Sequence, residues 1–123
     1  MLLFQCPGAD FLHLTASGRS EDAFAKYVAS GFKHHNPYYA GDANTLMAAM
    51  KQHAEVFPDK VLEVQRTIAE ESLVVAHSKV YMKPGEQAIA LVHIFRFEND
   101  KVVELWDIGQ AAPVDSPNTF GMF

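Results

Sequence analysis

Three side chains in the second half of the chain, His77, His93 and Asp107, have the chemistry to move a proton. An imidazole titrates near neutrality, and a neighbouring carboxylate tunes it and is tuned by it, so such a group suits general acid–base work. Whether the three meet depends on strand register, because a one-residue slip turns every side chain to the other face. Strands are expected over 73–82, 88–98 and 101–109. If Met82 faces Ala88 across the turn Lys83–Gln87, His77 stands opposite His93. A three-residue loop, Glu98-Asn99-Asp100, keeps odd-numbered residues of the last two strands on one face. It sets Asp107 beside His93 and leaves Val103 and Leu105 inside with Phe95 and Phe97. A two-residue loop would instead set His93 against Trp106, and the cluster would fail.

Other groups could join this site. Leu46, Met50, His53 and Phe57 recur at helical spacing and share one face, so His53 is a pocket-wall candidate. The segment His34-His35-Asn36-Pro37 offers His35 and Asn36 as polar groups able to hydrogen-bond a substrate oxygen. Arg66 falls on the expected apolar face of its strand, where it could clamp an anion or turn out to solvent. Each has a plainer reading. A buried His/Asp pair often does no more than satisfy its own hydrogen bonds, and His34, His35 and Asn36 could simply order a loop. Two histidines and a carboxylate can also hold a metal, but the HxD and HExxH spacings that support such a site are absent, so no metal ligands are assigned. Cys6, the single cysteine, precedes Pro7-Gly8 near a terminus expected to fray. It cannot form an internal disulfide and reads as inert.

The elements that must position these groups follow from periodicity. A first helix is expected over 8–17, ending at Gly18. Ser20, followed by Glu21 and Asp22, reads as the cap of a second helix that carries Phe24, Tyr27 and Val28 to Gly31. Residues 32–37 read as a short strand or ordered loop. Asp42 caps a third helix, which Pro58 stops. From Lys60 onward the period changes to two, with Leu62, Val64 and Ile68 alternating with Glu63, Gln65 and Thr67. Short connections between successive strands imply an antiparallel meander. Helices followed by a meander make an α+β domain. The strand 88–98 is apolar on both faces, and three short helices can cover only one. The other face, with Val92, Ile94, Trp106 and Ile108, is expected to meet a second copy of the chain as a homodimer.

Composition sets the outer limits. The 123 residues fit one domain, with 49% hydrophobic and 20% charged residues. A net charge of -5, with scattered lysines and arginines, gives no reason to expect nucleic-acid binding. Met1-Leu2-Leu3-Phe4 is too short for a signal sequence, and no stretch approaches the roughly 20 apolar residues that span a bilayer. The expectation is a cytoplasmic protein.

Several segments together resemble the SnoaL-like proteins of the nuclear transport factor 2-like superfamily. They are HHNP (34–37), FPDK (57–60), AHSKV (76–80), the hairpin VHIFRFENDKVVELWDIGQ (92–110) and the closing PNTFGMF (117–123), which resembles the subgroup described as SnoaL-like aldol-condensation proteins. The resemblance covers nearly the whole chain. It implies a cone-like curved sheet closed by N-terminal helices around a pocket, and a dimer through the sheet. In SnoaL-type polyketide cyclases an aspartate on the last long strand is the acid/base of an aldol closure, and Asp107 matches it. A supporting histidine on the preceding strand matches His93. No metal or organic cofactor is used there. This chain departs in its short length and in the extra histidines His77 and His35, so the polyketide substrate does not carry over. The fold hosts enzymes, binding proteins and transport factors alike. The residues thus point to a small-molecule pocket: a cofactor-independent lyase or isomerase acting next to a carbonyl, or a non-catalytic module for an apolar ligand.

Overall fold

Pro7, whose fixed backbone angle suits the first turn of a helix, opens α1 (Pro7–Ala16) in the computed structural model, which describes residues 6–123. The Met1–Phe4 run lies outside the described residues. Phe11 and Leu12 of α1 are fully buried, and the Phe11 ring meets Phe95 edge-on at 5.8 Å. Gly8 allows this approach, since a Cβ there would sit 3.1 Å from the Phe95 ring. Cys6, just before α1, is also fully buried, so the chain is already anchored at the point where fraying was expected.

Helix α2 (Ser20–Tyr27) begins one residue earlier than the capping pattern indicates. The final turn of α1 takes up the Arg19 amide through Leu14 O at 2.8 Å, which leaves Arg19 as the cap and Ser20 as the first helical residue. The Ser20 hydroxyl is buried without a protein partner. The helix stops at Tyr27 rather than Gly31, because Val28 is already extended and pairs with another strand. That strand, β1 (Val28–His34), advances five residues, Val28 to Lys33, while its partner advances two, Val102 to Glu104. Gly31, with φ +80°, supplies the left-handed backbone inside this bulge. Asp42 caps α3 (Ala43–Val56) as expected, accepting from the Thr45 amide at 2.9 Å, and the helix ends at Phe57-Pro58.

The meander follows as β2 (Val61–Glu70), β3 (Leu73–Tyr81), β4 (Ile89–Glu98) and β5 (Lys101–Ala111). The strands form one curved, open sheet in the order β1-β5-β4-β3-β2. Pairs β2–β3, β3–β4 and β4–β5 are antiparallel, whereas β1 lies parallel to β5. The parallel edge corrects the all-antiparallel expectation; no local turn connects β1 to its partner, so no turn signal reports it. The three helices pack on one face, where Phe11, Phe24, Phe32, Leu46, Phe95 and Leu105 form the core. The result is the α+β arrangement the periodicity indicates.

The registers differ from expectation in three places. Between Val80 and Ile89, residues 81–88 lie outside the β3–β4 pairing, an even number where the five residues 83–87 gave an odd one. Parity therefore reverses, and His77 stands opposite Val92 while Ala76 stands opposite His93. In β2 a bulge at Gln65, between the pairs Val64–Ser78 and Arg66–His77, turns Arg66 and Ile68 to the outer face. The β4–β5 turn has two residues, Asn99 and Asp100, since Glu98 pairs with Lys101. A bulge at Val103 then restores the alternation, so that Arg96 pairs with Glu104 and His93 with Asp107.

Candidate functional site

Strand pairing puts His93 and Asp107 side by side on the inner face, and the loop after β1 supplies a third group. His93 Nε2 lies 3.3 Å from Asp107 Oδ1, and Asn36 Nδ2 donates to Asp107 Oδ2 at 2.9 Å. Asn36 is fixed in turn. Its Oδ1 accepts from the Tyr38 amide at 3.0 Å, and its own amide donates to His34 Nδ1 at 3.1 Å. The buried His34 closes the loop by donating from Nε2 to Ala40 O at 2.6 Å. His34 thus holds the loop in shape, and Asn36 delivers that rigidity to the carboxylate.

These groups sit on the wall of a cavity of about 560 Å³ between the helices and the inner sheet face. Its apolar walls include Leu12, Leu46, Met50, Leu62 and Leu91, and Asn36, His93 and Asp107 break the apolar lining. Burial alone pushes the Asp107 carboxyl upward and is the largest single influence on it. The His93 hydrogen bond and charge, the Asn36 hydrogen bond and the nearby His34 together outweigh burial, and Asp107 is held below the ordinary carboxylate range. It is therefore a carboxylate at neutral pH, an acceptor of protons rather than a donor. With Nε2 turned to Asp107, the buried Nδ1 of His93 has no protein partner.

A second polar pair lines the same cavity. Lys60 Nζ donates to His53 Nδ1 at 2.9 Å. An ammonium has no lone pair to accept with, so the bond fixes Nδ1 as the acceptor and places the ring proton on Nε2. Burial first, and the Lys60 charge second, hold His53 below its ordinary value, while burial lowers Lys60. Lys60 was not singled out as a site residue, although a signal existed: it shares even parity with the inward-facing Leu62 and Val64.

Of the residues singled out in the sequence, His93, Asp107, Asn36 and His53 therefore line one cavity. His77 does not. The reversed β3–β4 parity sends it to the outer face, where it stacks on Phe123 at 5.8 Å and hydrogen-bonds Arg66. Arg66 is correspondingly no clamp for a ligand in the cavity. His35 reaches the cavity margin, but its ring lies flat on Trp106 at 4.9 Å and its Nε2 meets Glu104 Oε2 at 2.6 Å, both on the outer face. His77 is thus placed away from the cavity, whereas His35 stays at its margin, held there by Trp106 and Glu104. Moving His77 away also splits the two-histidine, one-carboxylate set. Among the described residues no group of three His, Cys, Asp or Glu side chains could hold a metal ion, and no helix is long and apolar enough to cross a membrane.

Comparison with known proteins agrees with the architecture. The profile of the SnoaL-like domain matches residues 9–105. An NTF2-like protein of unknown function from Cytophaga hutchinsonii superposes with a TM-score of 0.67 at 15% identity, over 85% of this chain and 87% of its own. A candidate polyketide cyclase from Acidithiobacillus ferrooxidans gives 0.66 at 17% identity, over 88% and 91%. AclR, a candidate hydroxylase from Streptomyces galilaeus, gives 0.62 at 23% identity, over 82% and 86%. These likenesses establish the nuclear transport factor 2-like fold. The sequence finds no match among curated proteins.

Proposed function

Because the chain belongs to the SnoaL-like domain family, we propose that its cavity takes up a small organic molecule and does acid–base chemistry next to a carbonyl group. The observation that carries this reading is the Asp107 carboxylate, ionised on the wall of an apolar cavity and oriented from two sides by His93 and Asn36. Asp107 removes a proton from the carbon next to the carbonyl, and the electron pair of that C–H bond moves onto the carbonyl oxygen as an enolate. The enolate then either takes the proton back from Asp107 at a different atom of its conjugated system, an isomerisation, or its carbon attacks a second carbonyl of the same molecule, an aldol closure. In the closure the new alkoxide recovers the proton from Asp107, so atoms and charge balance without a cofactor. His93 positions the carboxylate, and its imidazole steadies the charge as it changes. The likeness to a candidate polyketide cyclase supports the class of reaction, not its substrate.

One observation favours a second reading. Both oxygens of Asp107 already have partners, and its lowered pKa makes it a weak base, which suits a module that only orients a bound ligand. Proton exchange separates the two. Enolisable ketones are incubated with the protein in D₂O, and deuterium uptake at the carbon next to the carbonyl is followed by NMR. Acid–base chemistry predicts protein-dependent uptake that drops by about 100-fold or more in Asp107→Asn. Uptake no faster than in buffer for ketones that bind would leave the binding module as the function.

We also propose that the outer sheet face meets a second copy of the chain. Val92, Ile94, Trp106 and Ile108 form an apolar surface there, with Ile108 56% exposed.

A further inference from the structure

Lys60 is a cation brought partly out of water, and no carboxylate lies within ion-pair distance of its ammonium among the described residues. A surface lysine would reach the solvent or an acidic neighbour. This one turns toward the apolar cavity, and the only hydrogen-bond partner of its ammonium among the described residues is a neutral imidazole. The ammonium keeps two N–H donors free, and the tautomer it imposes leaves His53 with an Nε2 proton to donate. An anionic oxygen is the chemistry that satisfies such a set, because charge-assisted hydrogen bonds to it offset the cost of holding the cation away from water.

The position of the pair within the fold narrows the ligand further. Lys60 leads into β2, and Asp107 lies on β5, with β3 and β4 between them in the sheet order. Between them the cavity wall is apolar, with Leu62, Val80 and Leu91. The cavity is therefore cationic near one edge of the sheet and anionic near the other. We propose that Lys60, held by His53, anchors the carboxylate of an apolar organic acid, so that the ligand of this cavity is a carboxylic acid. This deepens the reading above by naming the substrate class, a keto acid whose carbonyl end faces Asp107. The anchor itself does not depend on Asp107 taking a proton.

The test compares an acid with its neutral counterpart. The affinities of 4-phenylbutyrate and 4-phenylbutanol are measured by calorimetry at pH 7 on the unaltered chain, on Lys60→Met and on Lys60→Arg. The unaltered chain binds the acid at least about tenfold tighter than the alcohol. In Lys60→Met the preference disappears while the alcohol binds as before, which also shows that the variant is folded. Lys60→Arg restores the preference. Equal affinity for the two probes, a preference that survives in Lys60→Met, or no binding of either probe overturns the proposal. A chain that prefers the acid yet catalyses no deuterium uptake keeps the anchor and overturns only the acid–base reading.

Discussion

Asp107 stands directly opposite His93 on the neighbouring strand, even though the turn joining those strands has the two residues that by themselves would bring Trp106 there. The extra residue is Val103, which bulges out of β5 and shifts everything beyond it by one position. Turn chemistry and burial make separate demands here. Asn99 and Asp100 tolerate the left-handed backbone of a two-residue turn, with φ 51° and 64°. Burial requires Phe95, Leu105 and Val102 to face the core. The bulge meets both demands and, in doing so, builds the His93–Asp107 pair.

If the turn prefers this form, a residue freer to adopt it should stabilise the chain. Asp100 holds a left-handed conformation that glycine adopts without a steric penalty. Asp100→Gly is therefore expected to raise stability by several tenths to about 1 kcal/mol in urea unfolding, after the added entropy of the unfolded chain is subtracted. The NMR shifts of His93 and Asp107 should not move, because the bulge sets their register. A destabilised variant, or displaced His93 resonances, would mean that the Asp100 side chain itself fixes the turn.

The lowered pKa of Asp107 has a signed consequence for stability. A carboxyl held lower in the folded chain than its unfolded value of about 3.9 favours folding wherever it is ionised. That contribution is complete above the unfolded value and is lost as pH falls through the folded one. Compared with Asp107→Asn, the unaltered chain should hold a constant stability advantage from neutral pH down to about 5. The advantage should shrink steadily at lower pH. A gap that widens on acidification would show that burial dominates and that the carboxyl is protonated more easily, not less. Asn36→Ala should reduce the advantage in part, since it removes one of the groups that lower Asp107.

The extent to which the sequence discloses this site varies by element. The cap at Asp42, the stop at Pro58 and the apolar face of α3 are local signals, and they place His53 on the cavity wall without further information. The pairing of His93 with Asp107 is also legible, though the three-residue loop that suggested it is in fact a two-residue turn with a bulge. What sequence alone conceals is parity. Gln65 and Val103 bulge without a glycine to mark them, and residues 81–88 contain no feature that separates an even loop from an odd one. Each such step turns a whole strand over, which is how His77 and Arg66 came to be expected in the pocket. Lys60 was missed for a different reason. A lone lysine ahead of a strand looks like a solvated charge until the cavity beside it is known.

The outer sheet face yields the last expectation. The helices leave this face uncovered, and at one end Phe123 turns back onto His77, adjoining Val92 across the β3–β4 pair. The apolar surface of Val92, Ile94 and Ile108 ends at the ion pairs of Arg96 with Glu104 and Glu98. His35 lies flat on Trp106 beside Glu104, so the indole is held in one orientation before any partner arrives. A preordered aromatic ring in an apolar patch with a charged margin suits an interface between two copies related by a two-fold axis. Sedimentation of the purified chain at micromolar concentration is expected to give the mass of a dimer. Ile108→Glu places a carboxylate where the copies would meet. The cost of removing that charge from water, taken as about 3 kcal/mol or more, corresponds to at least a 100-fold weaker dimer. The variant should sediment as a folded monomer with its circular dichroism unchanged, because Ile108 is exposed within one chain. A monomer from the unaltered protein at that concentration, or a dimer undisturbed by Ile108→Glu, would assign the outer face to some other contact.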